Sequence, residues 1–386
     1  MRSRKKVCIL VFSKVALDAR VARQIEYARK NYEVDVIGHG DWQAPAGVRY
    51  HAVPQTIRKA SLFSLALLLA GNVVPAVWEY HYWRRKEYMQ ALEILRNESY
   101  DLIHANDLSA LPVASKAVDG RETQLLFDAH EFYFEQGENP QMIRIRKPHL
   151  KYLFNTYRRN IDRMITVSEG IAALYQNQFN MASELILNAP FYVEHPYHPV
   201  DPARIQLVNQ GAAILGRRIE DLITMMPYLH ERFHLNLLLK PSNKDYYEFL
   251  RKKAQEMGPD RVTIHDQVSP DTITHAINKF DIGIHLLDAD NLNHYYALPK
   301  KLFDYIMAGL ASVITPLPEM RKIVDQWQVG VVSSDHSWQS MVKALNSLTD
   351  EQINVFKRNS LELAKTLNAN KEMDKLMNIY AAMLGA

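Results

Sequence analysis

Tyr295-Tyr296-Ala297-Leu298-Pro299-Lys300-Lys301-Leu302-Phe303-Asp304-Tyr305-Ile306-Met307-Ala308-Gly309-Leu310-Ala311-Ser312-Val313-Ile314 reads as a helix starting beside Pro299, followed by a short apolar strand near residues 311 to 315. Short apolar runs alternating with amphipathic stretches are the pattern of parallel strands joined by crossover helices. The same alternation runs outward in both directions. In this half, strands are expected near residues 205 to 209, 235 to 239, 261 to 264, 281 to 286 and 329 to 333, and after about Ser337 the pattern is helical to the end. Further upstream, the stretch Asn188 to Pro202 holds four prolines that neither a regular helix nor a central strand accommodates. It reads as a linker, and before it comes a first series with strands near residues 7 to 12, 33 to 38, 101 to 105, 124 to 128, 163 to 167 and 184 to 188. The expectation is an α/β protein of two doubly wound domains. Residues 1–195 and 196–365 are the domains, and 366–386 is a C-terminal helix packing back on the first. Ligands of open α/β sheets bind at the carboxyl ends of the strands, which puts the expected site in a cleft that the two sheets face.

Composition agrees with a folded chain. Its 386 residues exceed one ordinary core, and 47% hydrophobic with 23% charged residues is ordinary for a globular protein. A net charge of +3 is too small to argue for a nucleic-acid partner. The one cysteine, Cys8, lies in an apolar run and reads as a small buried hydrophobe. A single thiol allows no intrachain disulfide and fits the cytoplasm. The basic start, Arg2 to Lys6, precedes too short an apolar run for a signal peptide and reads as a first strand.

The chemistry-bearing residues of the second half cluster around the quoted helix. Pro299 leaves the helix amino end open, so its free N–H groups and positive dipole end suit a phosphate, with Lys300 or Lys301 adding charge. Asp304 is read on the first turn, either accepting hydrogen bonds from ribose hydroxyls or favouring the helix dipole. The run Leu298 to Gly309 resembles the donor-site helix of GT-B glycosyltransferases similar to glycosyltransferase family 4, which carry Pro-Asn-Lys-Leu-Phe-Glu-Tyr there. The resemblance implies that Lys301 is the expected cation and that Asp304 takes the place of a ribose-binding Glu. Pro299, Lys300 and Leu302 complete the motif. Tyr296 stands where many members have a Glu near the transferred sugar. A second segment, Gln210 to Ile223, is similar to the family's glycine turn. There Gly211 and Gly216 allow close backbone approach, and Arg217 is the expected phosphate cation. Ala212 replaces a second one, for which Arg218 or Lys240 compensates; the other reading of Arg218 is a solvated helix face.

In the first half, Tyr100 to Asp107 and Leu126 to Glu131 each end a strand in polar residues. They resemble the family's Asp-x-x-His-x-His-Asp and Tyr-Asp-Ala-His-Glu segments. By that likeness His130 contacts the transferred sugar, Glu131 has a supporting or acceptor-side role, and Asn106 and Asp107 lie nearby. Asp18 and Arg20 resemble the family's Asp-x-Arg-Val helix start, as an acceptor-side or structural ion pair or in direct substrate contact. The segment Ser13 to Val21 lacks a Gly-rich dinucleotide fingerprint. No His or Cys spacing suits a metal, and Asp288-Ala289-Asp290 reads as a solvated turn. No cofactor and no metal are therefore expected.

Residues 61 to 78 form the most apolar stretch, flanked by Arg58, Lys59, Arg84, Arg85 and Lys86, with Gly71, Asn72 and Pro75 breaking it. It is marginal for spanning a membrane. Either it lies on a membrane surface with Trp78, Tyr80, Tyr82 and Trp83 at the headgroups, or its apolar face covers the sheet. The expected protein is thus a GT-B enzyme with two Rossmann-like domains, cytoplasmic or peripheral on the cytoplasmic face through residues 58–86. It is expected to be a retaining, metal-independent hexosyl-type glycosyltransferase moving a sugar from a UDP- or GDP-linked donor to a saccharide or polyprenyl-linked saccharide in bacterial surface glycan synthesis. The rival readings are a nucleotide-sugar epimerase of the same fold and a noncatalytic nucleotide- or sugar-binding protein.

Overall fold

The computed structural model describes residues 4–55, 62–137 and 139–385. Among these residues, thirteen strands form two parallel sheets. The first contains β1 (Lys6–Lys14), β2 (Glu33–His39), β3 (Val48–Val53), β4 (Leu102–Asn106), β5 (Gln124–Ala129), β6 (Arg163–Thr166) and β7 (Glu184–Leu185), in the order β3-β2-β1-β4-β5-β6-β7. The second contains β8 (Ile205–Ala212), β9 (Phe233–Lys240), β10 (Val262–His265), β11 (Ile282–His285), β12 (Ala311–Ile314) and β13 (Gly330–Val332), in the order β10-β9-β8-β11-β12-β13. Each order reverses direction beside its first strand, where β1 meets β4 and β8 meets β11. Such a reversal opens a crevice at the carboxyl ends of the strands.

The central strand β1 forms where the sequence is continuously apolar, as suits a strand covered by helices on both faces. Val7 to Val11 on β1 are fully buried, and burial pushes the Cys8 thiol well up. Strand β3 is the element that the apolar-run reading omits. It is an edge strand, its Arg49 reaching over to pair with Asp35 of β2 at 2.6 Å, so it never presents a continuous hydrophobic run.

The chain divides into one unit of residues 1–187 and 372–386 and another of residues 188–371. The first break falls at Leu187 rather than near residue 195 because the proline-rich stretch is bonded into the second unit. Val200 N–H and Tyr197 Oη donate to Asn354 Oδ1 at 3.0 and 2.8 Å, and His198 meets Asn278 at 3.1 Å. The second break falls inside the helix Ala369–Leu384. Beyond it, Met373, Leu376, Ile379 and Tyr380 enter the core of the first unit, and Glu372 accepts from the Leu187 N–H at 2.8 Å.

In the apolar stretch, Arg58, Lys59 and Ser61 lie outside the described residues. The rest of it folds as a pair of short helices, Leu62–Ala70 and Ala76–Trp83, and no helix among the described residues is long and apolar enough to cross a membrane. Of the two readings of this stretch, the one that turns all four aromatic rings outward does not match their burial. Trp78 and Tyr82 are buried, Trp83 donates to Glu79 at 2.9 Å, and of the four only Tyr80 is exposed. Trp78 turns inward because Gly71 leaves room for its ring, and its indole N–H then donates to the Leu68 carbonyl at 2.9 Å. Apolar exposure falls instead on Leu62, Phe63, Leu69, Val73 and Val74.

Candidate active site

In the first unit, pairing of β4 with β5 sets Asn106 beside Asp128, both fully buried. A carboxylate in such a place must be paired and hydrogen-bonded to remain ionised. Arg20 does this with both arms, Nε and Nη2 each reaching Asp128 at 2.8 Å, while its third nitrogen donates to the Ile186 carbonyl at 3.0 Å. Gln24 Nε2 adds bonds to Asp128 at 2.9 Å and Asn106 at 3.0 Å. Although burial alone would raise the Asp128 carboxyl, Arg20 and His130 hold it well below the usual carboxylate range. Arg20 is therefore the structural half of a buried ion pair. Its expected partner changes with it: Asp18 caps the helix Ala19–Asn31 by accepting from the Val21 N–H at 3.1 Å and from Ser13 Oγ at 2.7 Å.

His130 stands over this pair with its ring between two acids. Nε2 lies 3.3 Å from Asp128 and Nδ1 lies 3.4 Å from Asp107. Burial disfavours its cation, yet the two carboxylates outweigh that and raise its pKa. Asp107 is held at φ 70°, and its Oδ1 accepts from Tyr133 Oη at 2.7 Å. Left-handed backbone in a non-glycine residue is a local strain that surrounding contacts must hold. Glu131 follows His130, and its carbonyl accepts from Tyr175 Oη at 3.1 Å. The structure thus gathers Asn106, Asp107 and His130 around Asp128, which the motif reading quoted without assigning it a role. His104 bonds to Tyr380 at 2.7 Å.

In the second unit, the helix Lys300–Met307 is seated by Tyr305, whose ring lies over Gly283 of β11 so closely that a Cβ there would come within 2.2 Å of it. Tyr305 Oη donates to the Ile284 carbonyl at 3.1 Å. Pro299 is the N-cap and supplies no side-chain cap, so the amino end is open as expected. Leu302 is fully buried, so it positions the helix rather than meeting a ligand. Asp304 is the fifth residue of this helix, one turn beyond the first, and its carboxylate is buried against Gln210 Nε2 at 2.9 Å and Lys300 Nζ at 2.5 Å. It is too deep to serve as an N-terminal dipole acid.

Gly211, next to last in β8, has a backbone φ of 131°, and a Cβ there would lie 3.2 Å from Lys301 Cε and 3.3 Å from Arg217 Nη1. Two cations therefore flank one bare peptide. Burial and the neighbouring Arg217 lower the Lys301 ammonium to about 7, against a smaller opposing pull from Asp304. Gly216, at φ 85°, belongs to the exposed turn that carries Arg217. Lys240, exposed at the end of β9, is level with Ala212. Tyr296 is half-buried at the end of the short helix Leu292–Tyr295, its ring edge-on to Tyr295.

Arg218 leaves this group. Its guanidinium is held by Asp221 at 2.7 Å, by Asp288 at 2.5 Å and by the His336 carbonyl at 2.6 Å, making it a strut of the turn. The Asp288-Ala289-Asp290 pattern dissolves likewise, since Asp290 meets His294 at 2.6 Å. One residue joins that the sequence reading missed: His285, at the carboxyl end of β11, is buried with neither ring nitrogen hydrogen-bonded. Burial, Lys301 and Arg217 push its pKa well down, so it is neutral. A histidine closing an otherwise apolar strand was the available signal.

The sequence model of the family described as Glycosyltransferase Family 4 matches residues 19–188, which include the whole His130 cluster. No curated protein matches the chain by sequence. Among solved structures, the chain is similar to the sucrose-phosphate synthase of Thermosynechococcus elongatus, at 15% identity and a TM-score of 0.71, covering 99% of this chain and 100% of that one. It is similar to Anabaena HepE in complex with UDP-glucose, at 13% identity and a TM-score of 0.70 over 98% and 99% of the two chains. It also resembles WaaG, a glycosyltransferase involved in lipopolysaccharide biosynthesis, at 13% identity and a TM-score of 0.62 over 97% and 99%. Identities this low establish the fold, which is GT-B. The family model spans only residues 19–188, and the likeness to solved structures extends the GT-B fold over the rest of the chain.

Proposed function

We propose that this GT-B chain is a retaining glycosyltransferase that takes a hexosyl group from a UDP- or GDP-linked donor without a bound metal ion and passes it to a saccharide or lipid-linked saccharide in bacterial surface glycan synthesis. The observation that carries the proposal is the pair Arg217 and Lys301 flanking Gly211 beside an open helix amino end. Two phosphates demand local positive charge, and backbone N–H groups at a helix start supply directed donors. In this reading Arg217, Lys301 and the helix start hold the diphosphate, neutral His285 donates one further hydrogen bond, and Lys240 adds charge at the rim. Asp304, oriented by Gln210 and Lys300, faces the ribose, and Tyr296 lies toward the sugar. HepE, whose complex contains UDP-glucose, favours uridine.

During transfer, the bond from the anomeric carbon to the diphosphate oxygen breaks and a bond to the acceptor oxygen forms on the same face. The acceptor's hydroxyl proton leaves with the departing diphosphate. Preorganised cations stabilise charge where it develops, so no step calls for a divalent ion. His130, which its two carboxylates favour as a cation, donates a hydrogen bond to the transferred sugar, and Asp107 receives the acceptor. The enzyme works in the cytoplasm or at the cytoplasmic face of the membrane.

The test is calorimetric titration of the purified protein with UDP, GDP, ADP and CMP in the presence of a chelator, repeated on Asp304→Ala. One nucleotide is expected to bind, at least tenfold more weakly to the variant. No binding of any of the four would remove the donor assignment.

A further inference from the structure

Between the paired helices 62–83 and the helix Pro140–Tyr157 lies a cavity of about 720 Å³ that the donor chemistry does not use. That size is within the range of pockets for organic ligands. Leu65, Leu68, Leu150 and Leu153 give it an apolar wall, while Arg84, Arg85 and Arg146 stand among the same lining residues. Among the described residues, neither Arg85 nor Arg146 forms an ion pair with an acid; Arg85 donates to Tyr88 Oη at 2.8 Å. His149 also lines the cavity, is 7% exposed, and leaves Nε2 without a hydrogen-bond partner. Its pKa falls to about 3 through burial first, then His81, Arg146 and Arg85. The cavity is therefore both greasy and electropositive.

Its lining also includes Asp107 and Tyr133, the pair bonded at 2.7 Å beside His130. Leu62, 86% exposed, is another lining residue, so the cavity reaches the surface there. One cavity is thus lined by an exposed leucine, by arginines and by the acid assigned to the acceptor.

We infer that this cavity seats the acceptor as a lipid phosphate ester, resting on the glycosyltransferase reading above: the hydrocarbon chain lies against the leucine wall, the phosphate faces Arg85 and Arg146, and the carried saccharide reaches Asp107. A neutral soluble sugar would leave the arginines and the leucine wall unused. An isolated anion would leave the wall exposed. An amphiphile with a phosphate joined to its chain satisfies both, since arginine recognises phosphate through several donors at once and buried hydrocarbon adds about 0.8 kcal/mol per methylene.

The experiment titrates the full chain with dodecyl phosphate below its micellar concentration, with inorganic phosphate, dodecyl maltoside and dihexanoylphosphatidylglycerol as comparison probes. Dodecyl phosphate is expected to bind at least tenfold more tightly than each of the three. Arg146→Glu and Leu62→Glu, both at exposed positions, are each expected to weaken it at least tenfold. Equal binding of inorganic phosphate would reduce the cavity to an anion site, and equal binding of the maltoside would reduce it to an apolar one. Equal binding of the phosphatidylglycerol would make it a bilayer-headgroup site, and unchanged binding by both variants would place the probe elsewhere; any of these overturns the proposal. UDP titrated into the same samples separates the two readings. If UDP binds and dodecyl phosphate does not, the cavity assignment alone fails. If dodecyl phosphate binds as expected and UDP does not, the donor reading fails and the cavity remains a lipid-phosphate site.

Discussion

A lysine whose ammonium loses its proton near pH 7 makes anion binding a proton-linked event. Lys301 is such a group because Arg217 and burial disfavour its charge, and a bound diphosphate would restore it. Binding of UDP-glucose, whose phosphates do not themselves titrate in this range, is expected to take up part of a proton at pH 7 and to weaken as pH rises from 6 to 8. Calorimetry in buffers of different ionisation enthalpy reads the uptake, and Lys301→Met should abolish it. In the first unit the signs differ. Asp128 has a depressed folded pKa, so its contribution to stability is present above its ordinary value of 3.8 and is lost as pH falls through the folded one. His130 is raised, so its contribution is full below 6.5 and is lost as pH rises through the raised value. Asp128→Asn leaves Arg20 buried without its counter-charge and is expected to cost about 3–5 kcal/mol in urea unfolding. The motif reading found most of these residues because glycine turns and strand-end acids leave local marks. It missed His285 and misplaced Arg218, whose roles depend on partners far along the chain such as Lys301 and Asp288.

Elements were legible where the chain is apolar on every side. Strands β1 and β5 announce themselves by the unbroken hydrophobic runs Val7 to Phe12 and Leu125 to Phe127, whereas β3 is hidden by Arg49 and His51 on an exposed edge. The paired helices 62–83 were visible as apolar, but which face turns inward was not. That choice is made by Gly71, which admits the Trp78 ring. A similar contact fixes the donor-side helix, where Gly283 lies beneath Tyr305. Gly283→Ala is expected to push the helix Lys300–Met307 outward, costing about 1–3 kcal/mol as overpacking does and weakening UDP at least tenfold. Unchanged UDP affinity in a folded variant would mean that the helix does not hold the nucleotide.

At the scale of the molecule, the sequence marked two α/β series and a closing helix, while the proline-rich stretch read as a linker proved to be the opening segment of the second unit. It did not mark where the helix Ala369–Leu384 changes allegiance, because Glu372 and Tyr380 find their partners, Leu187 and His104, through folding alone. Ending the chain after Lys371 is expected to unfold the first unit while the second still binds UDP. Circular dichroism and calorimetry on the shortened protein check this, and loss of UDP binding would show that the second unit depends on the first. The same arrangement sets a timetable for synthesis. A growing chain usually folds from its beginning, but here the first unit waits for Met373 through Tyr380, which are synthesised after the whole of the second unit. The second unit is continuous and complete before them. The later half of the message is therefore the earlier half to mature, and the nascent first unit spends translation with an unsealed core, the interval in which a chaperone has most to protect.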